Sequence, residues 1–301
     1  MKVFDQVVSD RFAVYNCDCV EWTATMPSES IDHSVYSPPF AHLFVYSDSE
    51  RDMGNVGDYE EFKLTYRHLV RELLRVTKQG KITAVHCSDI PTTKSKDGVI
   101  GLYDLPGVIR EVHEAEGWVY HSRVTIWKDP VVEMQRTKAH GLLYKTFRTD
   151  ATRCRVGMPD YMMIFRKPVE GANSKTPEPA THDPSRYPVT TWQEIASPVW
   201  MTIDQTNVLN VKVARDDKDE RHLCLLQLDV IQRCLELYTN PNDVVYSPFT
   251  GIGSEGFVSL SEGRRFIGTE LKSAYFKQAV KNLKEAELRG PVNDLLAGAV
   301  A

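Results

Sequence analysis

Two short motifs in this chain of 301 residues combine residue types that could do chemistry. The first, Ser37-Pro38-Pro39-Phe40, offers a hydroxyl group, a backbone held by two prolines and an aromatic ring. The Ser37 hydroxyl and the Pro38 carbonyl are acceptors that could hold an amino group, and Phe40 could stack on a planar ligand. Taken alone, the tetrapeptide is also compatible with a plain turn between a strand and a loop.

A second, glycine-rich motif near the other end of the chain reads Ser247-Pro248-Phe249-Thr250-Gly251-Ile252-Gly253. Glycines let a backbone approach a ligand closely, and the helix predicted after them would offer N–H groups to a carboxylate. Glu270 ends the next predicted strand, where an acidic side chain can accept both hydroxyls of a ribose. The spacing therefore predicts a site for a ligand that contains a nucleoside.

Apolar and β-branched runs at 31–36 and 243–246 precede the two motifs and predict a strand before each. Each motif then lies at the carboxyl end of its strand. Open α/β sheets bind their ligands at that edge, so we expect the two motifs to meet in one site.

Helix and strand signals alternate along the chain and predict an α/β fold with a doubly wound, mainly parallel sheet. Helical periodicity marks residues 59–77, 105–116, 226–238, 255–262 and 273–288. Strand patterns mark residues 12–17, 31–37, 81–87, 118–127, 159–166, 243–246 and 265–269.

The composition changes after Pro168 to a stretch rich in Pro, Thr, Ser, Asn and Asp. We therefore predict a small variable insert at 169–220. It would separate two parts of one domain, at 1–168 and 221–301.

The chain has 36 Lys and Arg residues and 41 Asp and Glu residues, but these charges are unevenly distributed along the sequence. The segment from Lys128 to Arg155 contains seven cationic and three anionic side chains. Such a patch could contact phosphate groups, and an ordinary solvated face is the alternative.

No apolar run approaches the roughly 20 residues that a membrane-spanning helix needs, and the first residues lack the apolar stretch of a signal peptide. We therefore predict a cytoplasmic protein without a membrane partner. The six cysteines include no Cys-x-x-Cys pair, so we predict no metal site.

The two motifs together resemble those of the amino-methylating DNA methyltransferases, which move a methyl group from S-adenosyl-L-methionine to an exocyclic base nitrogen. Because the tetrapeptide precedes the glycine loop, the order is similar to that of the circularly permuted β group. The resemblance covers 18–168 and 221–283 and implies a Rossmann-like methyltransferase fold. It also implies DNA as substrate and flipping of the target base out of the duplex.

The resemblance implies a catalytic role for Ser37, Pro38, Pro39 and Phe40. Family members with Ser at the first position mostly modify cytosine at N4, and those with Asp modify adenine at N6. Ser37 thus favours cytosine N4, and adenine N6 is the alternative. A DNA- or cofactor-binding module without catalysis is the alternative from another class.

Cofactor binding is implied for Asp18, Ser247, Pro248, Phe249, Gly251, Gly253 and Glu270. For Asp18, capping of the following helix is an open alternative. The family's loop commonly begins with Asp where this chain has Ser247, and a neutral hydroxyl binds an ammonium group less strongly than a carboxylate does. Ser254 and Glu255 likewise replace common threonines.

The resemblance also implies that the basic stretch between Lys128 and Arg155 contacts DNA. The predicted DNA-binding residues are Arg136, Lys138, Lys145, Arg148 and Arg153. A homodimer is possible because the permuted group often dimerises, and a partner endonuclease is left open. Recognition of the target is expected to involve the insert.

Overall fold

In a computed structural model, the protein is described over residues 2–40, 52–56, 58–137, 144–169, 171, 177–185, 187–209 and 226–291. Within these ranges, nine strands form one sheet and two short strands form a separate hairpin. The strands are β1 Asp5–Val8, β2 Phe12–Asn16, β3 Ile31–Tyr36, β4 Thr77–Cys87, β5 Ile90–Thr92, β6 Gly101–Tyr103, β7 Val119–Ile126, β8 Asp160–Arg166, β9 Val199–Trp200, β10 Val244–Ser247 and β11 Arg265–Glu270. The helices are α1 Cys19–Thr23, α2 Tyr59–Val76, α3 Lys94–Asp97, α4 Leu105–Ala115, α5 Pro130–Thr137, α6 Tyr144–Phe147, α7 Val189–Ile195, α8 Leu228–Tyr238, α9 Ser254–Ser261 and α10 Ser273–Arg289.

The large sheet has the strand order β1-β2-β11-β10-β3-β4-β8-β7-β9. Its centre is parallel, because β2, β11, β10, β3 and β4 pair side by side in the same direction. Strand β8 runs antiparallel to both of its neighbours, β4 and β7. The carboxyl ends of β2, β11, β10, β3 and β4 therefore lie at one edge of the sheet.

Helices cover both faces of the sheet, and each face has its own apolar core. Along β3, Val35 belongs to the core beneath α8, α9 and α10, whereas Tyr36 belongs to the core beneath α2 and α4. The same alternation places Val245 and Tyr246 of β10 on opposite faces. The predicted doubly wound, mainly parallel sheet is confirmed.

The first long helix is shorter than its sequence pattern suggests. We expected residues 59–77 to be helical and Gly80 to end the helix, but α2 ends at Val76 and β4 begins at once. Gly80 lies inside β4, where the pairing with β3 shifts register between Ile31 and His33. The long strand β4 reaches from this irregularity to the carboxyl edge of the sheet.

Part of the predicted insert extends the main sheet. Strand β9 pairs in parallel with β7, with Val199 opposite Thr125. Trp200 is only 1% exposed and packs in the core beneath α8, α9 and α10. Its indole N–H donates to the Ile195 carbonyl at 2.8 Å. Burial of this tryptophan attaches 187–209 to the domain. A role for the insert in target recognition stays a prediction.

Within the described ranges, no helix is both long enough and apolar enough to cross a bilayer.

Candidate active site

A cavity opens at the carboxyl edge of the parallel strands. It has an empty volume of about 1010 Å³, part of which is open to solvent. Nine of the eleven predicted catalytic and cofactor-binding residues line it: Asp18, Ser37, Pro38, Pro39, Phe40, Pro248, Phe249, Gly251 and Glu270. The two motifs, which are far apart in sequence, thus meet because β3 and β10 are neighbours in the sheet.

The Ser37 hydroxyl lies beside a histidine of the next strand. Its Oγ is 3.2 Å from Nδ1 of His86, in β4. The other ring nitrogen, Nε2, is 3.1 Å from Oδ2 of Asp160, the first residue of β8. Lys128 forms an ion pair with the same carboxyl oxygen. Ser37, His86, Asp160 and Lys128 thus form a continuous polar chain, which we call the serine relay.

The charges of the serine relay determine the direction of its hydrogen bonds. Burial alone would raise the pKa of the Asp160 carboxyl, but Lys128 and His86 outweigh it and hold that pKa well below its ordinary value. An ionised Asp160 accepts the N–H at Nε2 of His86, and when the ring carries only this proton its Nδ1 is an acceptor. The Ser37 hydroxyl then donates to Nδ1, and its oxygen keeps lone pairs for another donor.

Phe40 follows the prolines and is part of both the cavity wall and the apolar core. It is 8% exposed, and its ring centroid lies 6.5 Å from that of His86. The aromatic ring is therefore close to the serine relay. Stacking of Phe40 on a base stays a prediction.

Hydrogen bonds to β11 and α10 hold the glycine loop between β10 and α9 in place. The Thr250 N–H donates to the Thr269 carbonyl of β11 at 3.0 Å, and the Asn282 amide of α10 donates to the Ile252 carbonyl at 2.8 Å. Gly251 has a φ of 54°, and a Cβ placed there would meet only open space. Its missing side chain leaves the loop backbone accessible from the cavity.

Gly253 does not line the cavity, although we predicted that it would contact the cofactor. Its φ is 92°, and an added Cβ would lie 3.3 Å from Ala279 of α10. A glycine is required here because α9 begins in tight contact with a neighbouring helix. Gly253 therefore shapes the loop through packing.

Ser247 is also absent from the cavity wall. It is fully buried at the end of β10, and its Oγ has no hydrogen-bond partner among the described residues. We predicted a contact between this residue and the cofactor. The side chain is instead enclosed at the end of β10, because helices cover both faces of the sheet there.

Glu270 faces the glycine loop. Its carboxyl oxygens accept the N–H groups of Gly251 and Lys272, each at 2.8 Å. Burial raises the pKa of Glu270 to about 7, although these two N–H groups oppose the shift. Because a carboxylate oxygen accepts more than one hydrogen bond, Glu270 keeps capacity for hydroxyl donors from a ligand.

Asp18 has two structural features at once. Its Oδ1 accepts the Glu21 N–H at 2.8 Å, so it is the N-cap of α1, and it also lines the cavity. Next to it, Asn16 donates its side-chain amide to the carbonyls of Glu270 and Leu271 at 2.7 and 2.9 Å. These bonds hold the ends of β2 and β11 together. Cofactor binding by Asp18 stays a prediction.

Several residues of the site have no signal in the motifs. His86 and Asp160 are 74 positions apart and meet only because β8 pairs antiparallel with β4. Ser254 and Glu255 line the cavity, and both were noted only as departures from a common pattern. The carboxyl groups of Asp18, Asp52, Glu255 and Glu270 share the wall with the cation of Lys272. This excess of carboxyl groups favours a ligand that carries positive charge.

The basic stretch is only partly described. Arg148 is exposed, but Lys138 and the side chains of Arg136, Lys145 and Arg153 lie outside the described part of the chain. Lys128, one of the seven cations counted there, is paired with buried Asp160 and is not available to a phosphate. Contacts with DNA by the five predicted residues stay predictions.

Relatives of known sequence resemble the chain over most of its length. The DNA adenine methyltransferase YhdJ of Escherichia coli K12 is 24% identical over 216 residues, which cover 71% of this chain. The type II methyltransferase M1.MboII of Moraxella bovis is 22% identical over 280 residues, covering 91% of this chain and 97% of that protein. The aligned part makes up 60% of YhdJ, so the chain spans less than two thirds of that relative.

Solved structures share the fold. TTHA0409 from Thermus thermophilus, determined with S-adenosyl-L-methionine, superposes with a TM-score of 0.66 at 21% identity, covering 92% of this chain and 94% of that one. The PvuII DNA methyltransferase (cytosine-N4-specific) superposes with a TM-score of 0.65 at 14% identity, covering 96% of each chain. At these low sequence identities, the structural similarity establishes the fold alone.

The family model described as DNA methylase matches residues 31–281. The match contains the tetrapeptide, the glycine loop and Glu270, together with the strands that bring them to one cavity. Because it covers most of the sequence, the chain belongs to the DNA methylase family.

Proposed function

We propose that this protein is a DNA methyltransferase that moves the methyl group of S-adenosyl-L-methionine to the exocyclic N4 of a flipped cytosine. Membership of the DNA methylase family supports the reaction class. The observation that carries the proposal is the Ser37 hydroxyl, which lies in the cavity wall and is oriented by His86.

The cavity suits S-adenosyl-L-methionine in position and in charge. It opens to solvent between the tetrapeptide and the glycine loop, so a target base could lie beside a nucleoside cofactor. The cofactor carries a sulfonium and an ammonium group, which match the carboxyl groups of the wall. Glu270 would hold the ribose hydroxyls, and the first N–H groups of α9 would hold the carboxylate. When bound, the cofactor supplies an electrophilic methyl group.

The tetrapeptide would prepare the amino group of the base for attack. The lone pair of that nitrogen is delocalised into the ring, so the group is a poor nucleophile. The Ser37 oxygen and the Pro38 carbonyl would accept its two hydrogens and favour the pyramidal form, in which the lone pair is free. Two prolines fix this arrangement before the reaction, which lowers the cost of reorganisation.

The serine relay would remove the proton that the amino nitrogen loses. The Ser37 oxygen takes the proton from nitrogen while its own hydroxyl proton passes to Nδ1 of His86, 3.2 Å away. The resulting imidazolium is stabilised by Asp160, which Lys128 keeps ionised. The proton count balances, because nitrogen loses one proton and His86 gains one.

Methylation of adenine at N6 is the second candidate. It is favoured by the similarity to YhdJ, a DNA adenine methyltransferase that is 24% identical over 216 residues. Ser37 argues for cytosine, because family members with Ser at this position mostly modify cytosine.

Mass spectrometry of nucleosides separates the two reactions. Unmethylated plasmid DNA would be incubated with the protein and S-adenosyl-L-methionine and then digested to nucleosides. We expect N4-methylcytosine. Formation of N6-methyladenine instead would contradict the base assignment but keep the reaction class, and absence of both products would contradict the proposed function.

A further inference from the structure

Glu255, the second residue of α9, places a carboxyl group in the cavity wall without a cation of its own. The residue is 4% exposed and lines the cavity. None of the ion pairs among the described residues includes it. Burial raises the pKa of the Glu255 carboxyl to about 8; a hydrogen bond from its own backbone N–H opposes the shift, and nearby Glu270 adds to it. A cationic ligand would stabilise the ionised form of such a carboxyl group.

A role in helix capping alone does not account for this residue. An acid in the first turn of a helix is stabilised by the helix dipole, but that effect is available at the protein surface without the cost of burial. The N-cap of α9 is Gly253, which supplies no side-chain hydrogen bond. The buried carboxyl group is therefore better explained by something that enters the cavity.

A second buried polar group points to the same place. Ser254, the residue before Glu255, is 3% exposed and lines the cavity, and its Oγ has no hydrogen-bond partner among the described residues. A buried hydroxyl without a partner is costly, and a polar ligand in the cavity would satisfy it. Ser254 and Glu255 thus form one polar surface at the start of α9.

The other end of the glycine loop lacks a carboxylate. Ser247 stands where the resembling family commonly has Asp, and its side chain is fully buried away from the cavity. Glu255 stands where that family commonly has threonine. One carboxyl group is thus missing before the loop, and one is present after it.

We propose that Glu255 binds the α-ammonium group of the cofactor and replaces the carboxylate that is missing at Ser247. The inference rests on the proposed use of S-adenosyl-L-methionine. Glu255 is then a determinant of cofactor affinity.

Calorimetric binding of two ligands by the purified protein tests the contact. S-adenosylhomocysteine carries the ammonium group, and its analogue without the α-amino group does not. We expect the wild-type protein to prefer S-adenosylhomocysteine by at least about tenfold, the range of a charge-assisted hydrogen bond. Glu255→Gln should lose most of this preference and should bind the analogue as the wild type does.

Matched variants separate binding from structure. Glu262→Gln changes a glutamate at the other end of α9, outside the cavity wall, and should keep the full preference. Because a buried acid without an ion-pair partner among the described residues is removed, ligand-free Glu255→Gln should have a Tm no lower than the wild type. Glu255→Thr, with the residue that the family commonly carries, is a second variant that should also lose the preference.

Two results would overturn the inference. An unchanged preference in both Glu255 variants would show that the ammonium group binds elsewhere. A lower Tm with an unchanged preference would assign Glu255 to the stability of α9. If the wild type bound neither ligand, the proposed cofactor itself would be wrong, and this outcome is distinct from a failure of Glu255 alone.

Discussion

Ser37 acquires its chemistry from His86, a residue 49 positions away in the chain. A serine after a strand is ordinary by itself, because an isolated hydroxyl donates and accepts hydrogen bonds in many orientations. The serine relay restricts this freedom: Asp160 fixes the proton on one nitrogen of His86, and the other nitrogen accepts the Ser37 hydroxyl. The oxygen that faces the cavity is therefore an acceptor.

Replacement of His86 by Ala should lower kcat by about 10- to 100-fold, because Ser37 loses both its orientation and its proton acceptor. The affinity for the cofactor should not change, since His86 does not line the cavity. His86→Asn should restore part of kcat, because its amide can still hold the Ser37 hydroxyl. Steady-state kinetics with DNA and calorimetry with cofactor provide the two readouts.

His121 provides the matched control, because it is an exposed histidine on β7. His121→Ala should leave kcat unchanged. A His86→Ala variant with normal kcat, or with kcat and cofactor affinity reduced together, would contradict the relay.

At the residue scale, the motif residues were predictable and their partners were not. Ser37 and Glu270 could be assigned because each follows a clear strand pattern in a local motif. The pair of His86 and Asp160 could not, since its members come from different strands whose antiparallel pairing leaves no local pattern. Ser247 is predicted to bind the cofactor, but it is fully buried at the end of β10 and does not line the cavity.

At the element scale, the glycine loop depends on the contact between α9 and α10. Gly253 begins α9 with a φ of 92°, and an added Cβ would lie 3.3 Å from Ala279. Asn282 of α10 holds the Ile252 carbonyl of the same loop at 2.8 Å. The position of α10 therefore controls both the packing and the backbone of the glycine loop.

Gly253→Ala should destabilise the protein by about 1–3 kcal/mol, from backbone strain together with the contact at Ala279. The matched control is Gly171→Ala, which has a φ of 86° but no atom within 4 Å of an added Cβ. Thermal unfolding should give a lower Tm for Gly253→Ala than for Gly171→Ala. Equal Tm values would contradict a packing role for Gly253.

Long periodic elements and the four-residue strand β10 were predicted, whereas several short elements without a clear pattern were not. Apolar residues at helical spacing identify α2, α4, α8 and α10 because each buries one face against the sheet. Strand β9 has only two residues, and β1 is a short strand at the sheet edge, so neither carries enough pattern to be recognised. The predicted helix end at residue 77 is within one residue of the end of α2, but Gly80, which we expected to act as the stop signal, lies inside the irregular start of β4.

At the scale of the whole molecule, sheet order converts two distant motifs into one site. Strand β3 precedes β10 by more than half of the chain, yet the two pair in parallel with Tyr246 opposite Ser34. The alternation of helices and strands predicted a parallel sheet, and a parallel sheet requires its carboxyl ends to share an edge. The cavity could therefore be anticipated from sequence, whereas the antiparallel direction of β8 required the structure.

We propose that Ser37 acts on the methyl acceptor within a cavity that also binds the cofactor. The most direct test is methyl transfer to unmethylated DNA by Ser37→Ala, with Ser95→Ala, an exposed serine of α3, as the control. We predict that N4-methylcytosine formation falls by at least about 100-fold in Ser37→Ala while cofactor affinity stays within about twofold. Methyl transfer by Ser37→Ala at the rate of Ser95→Ala would contradict the account.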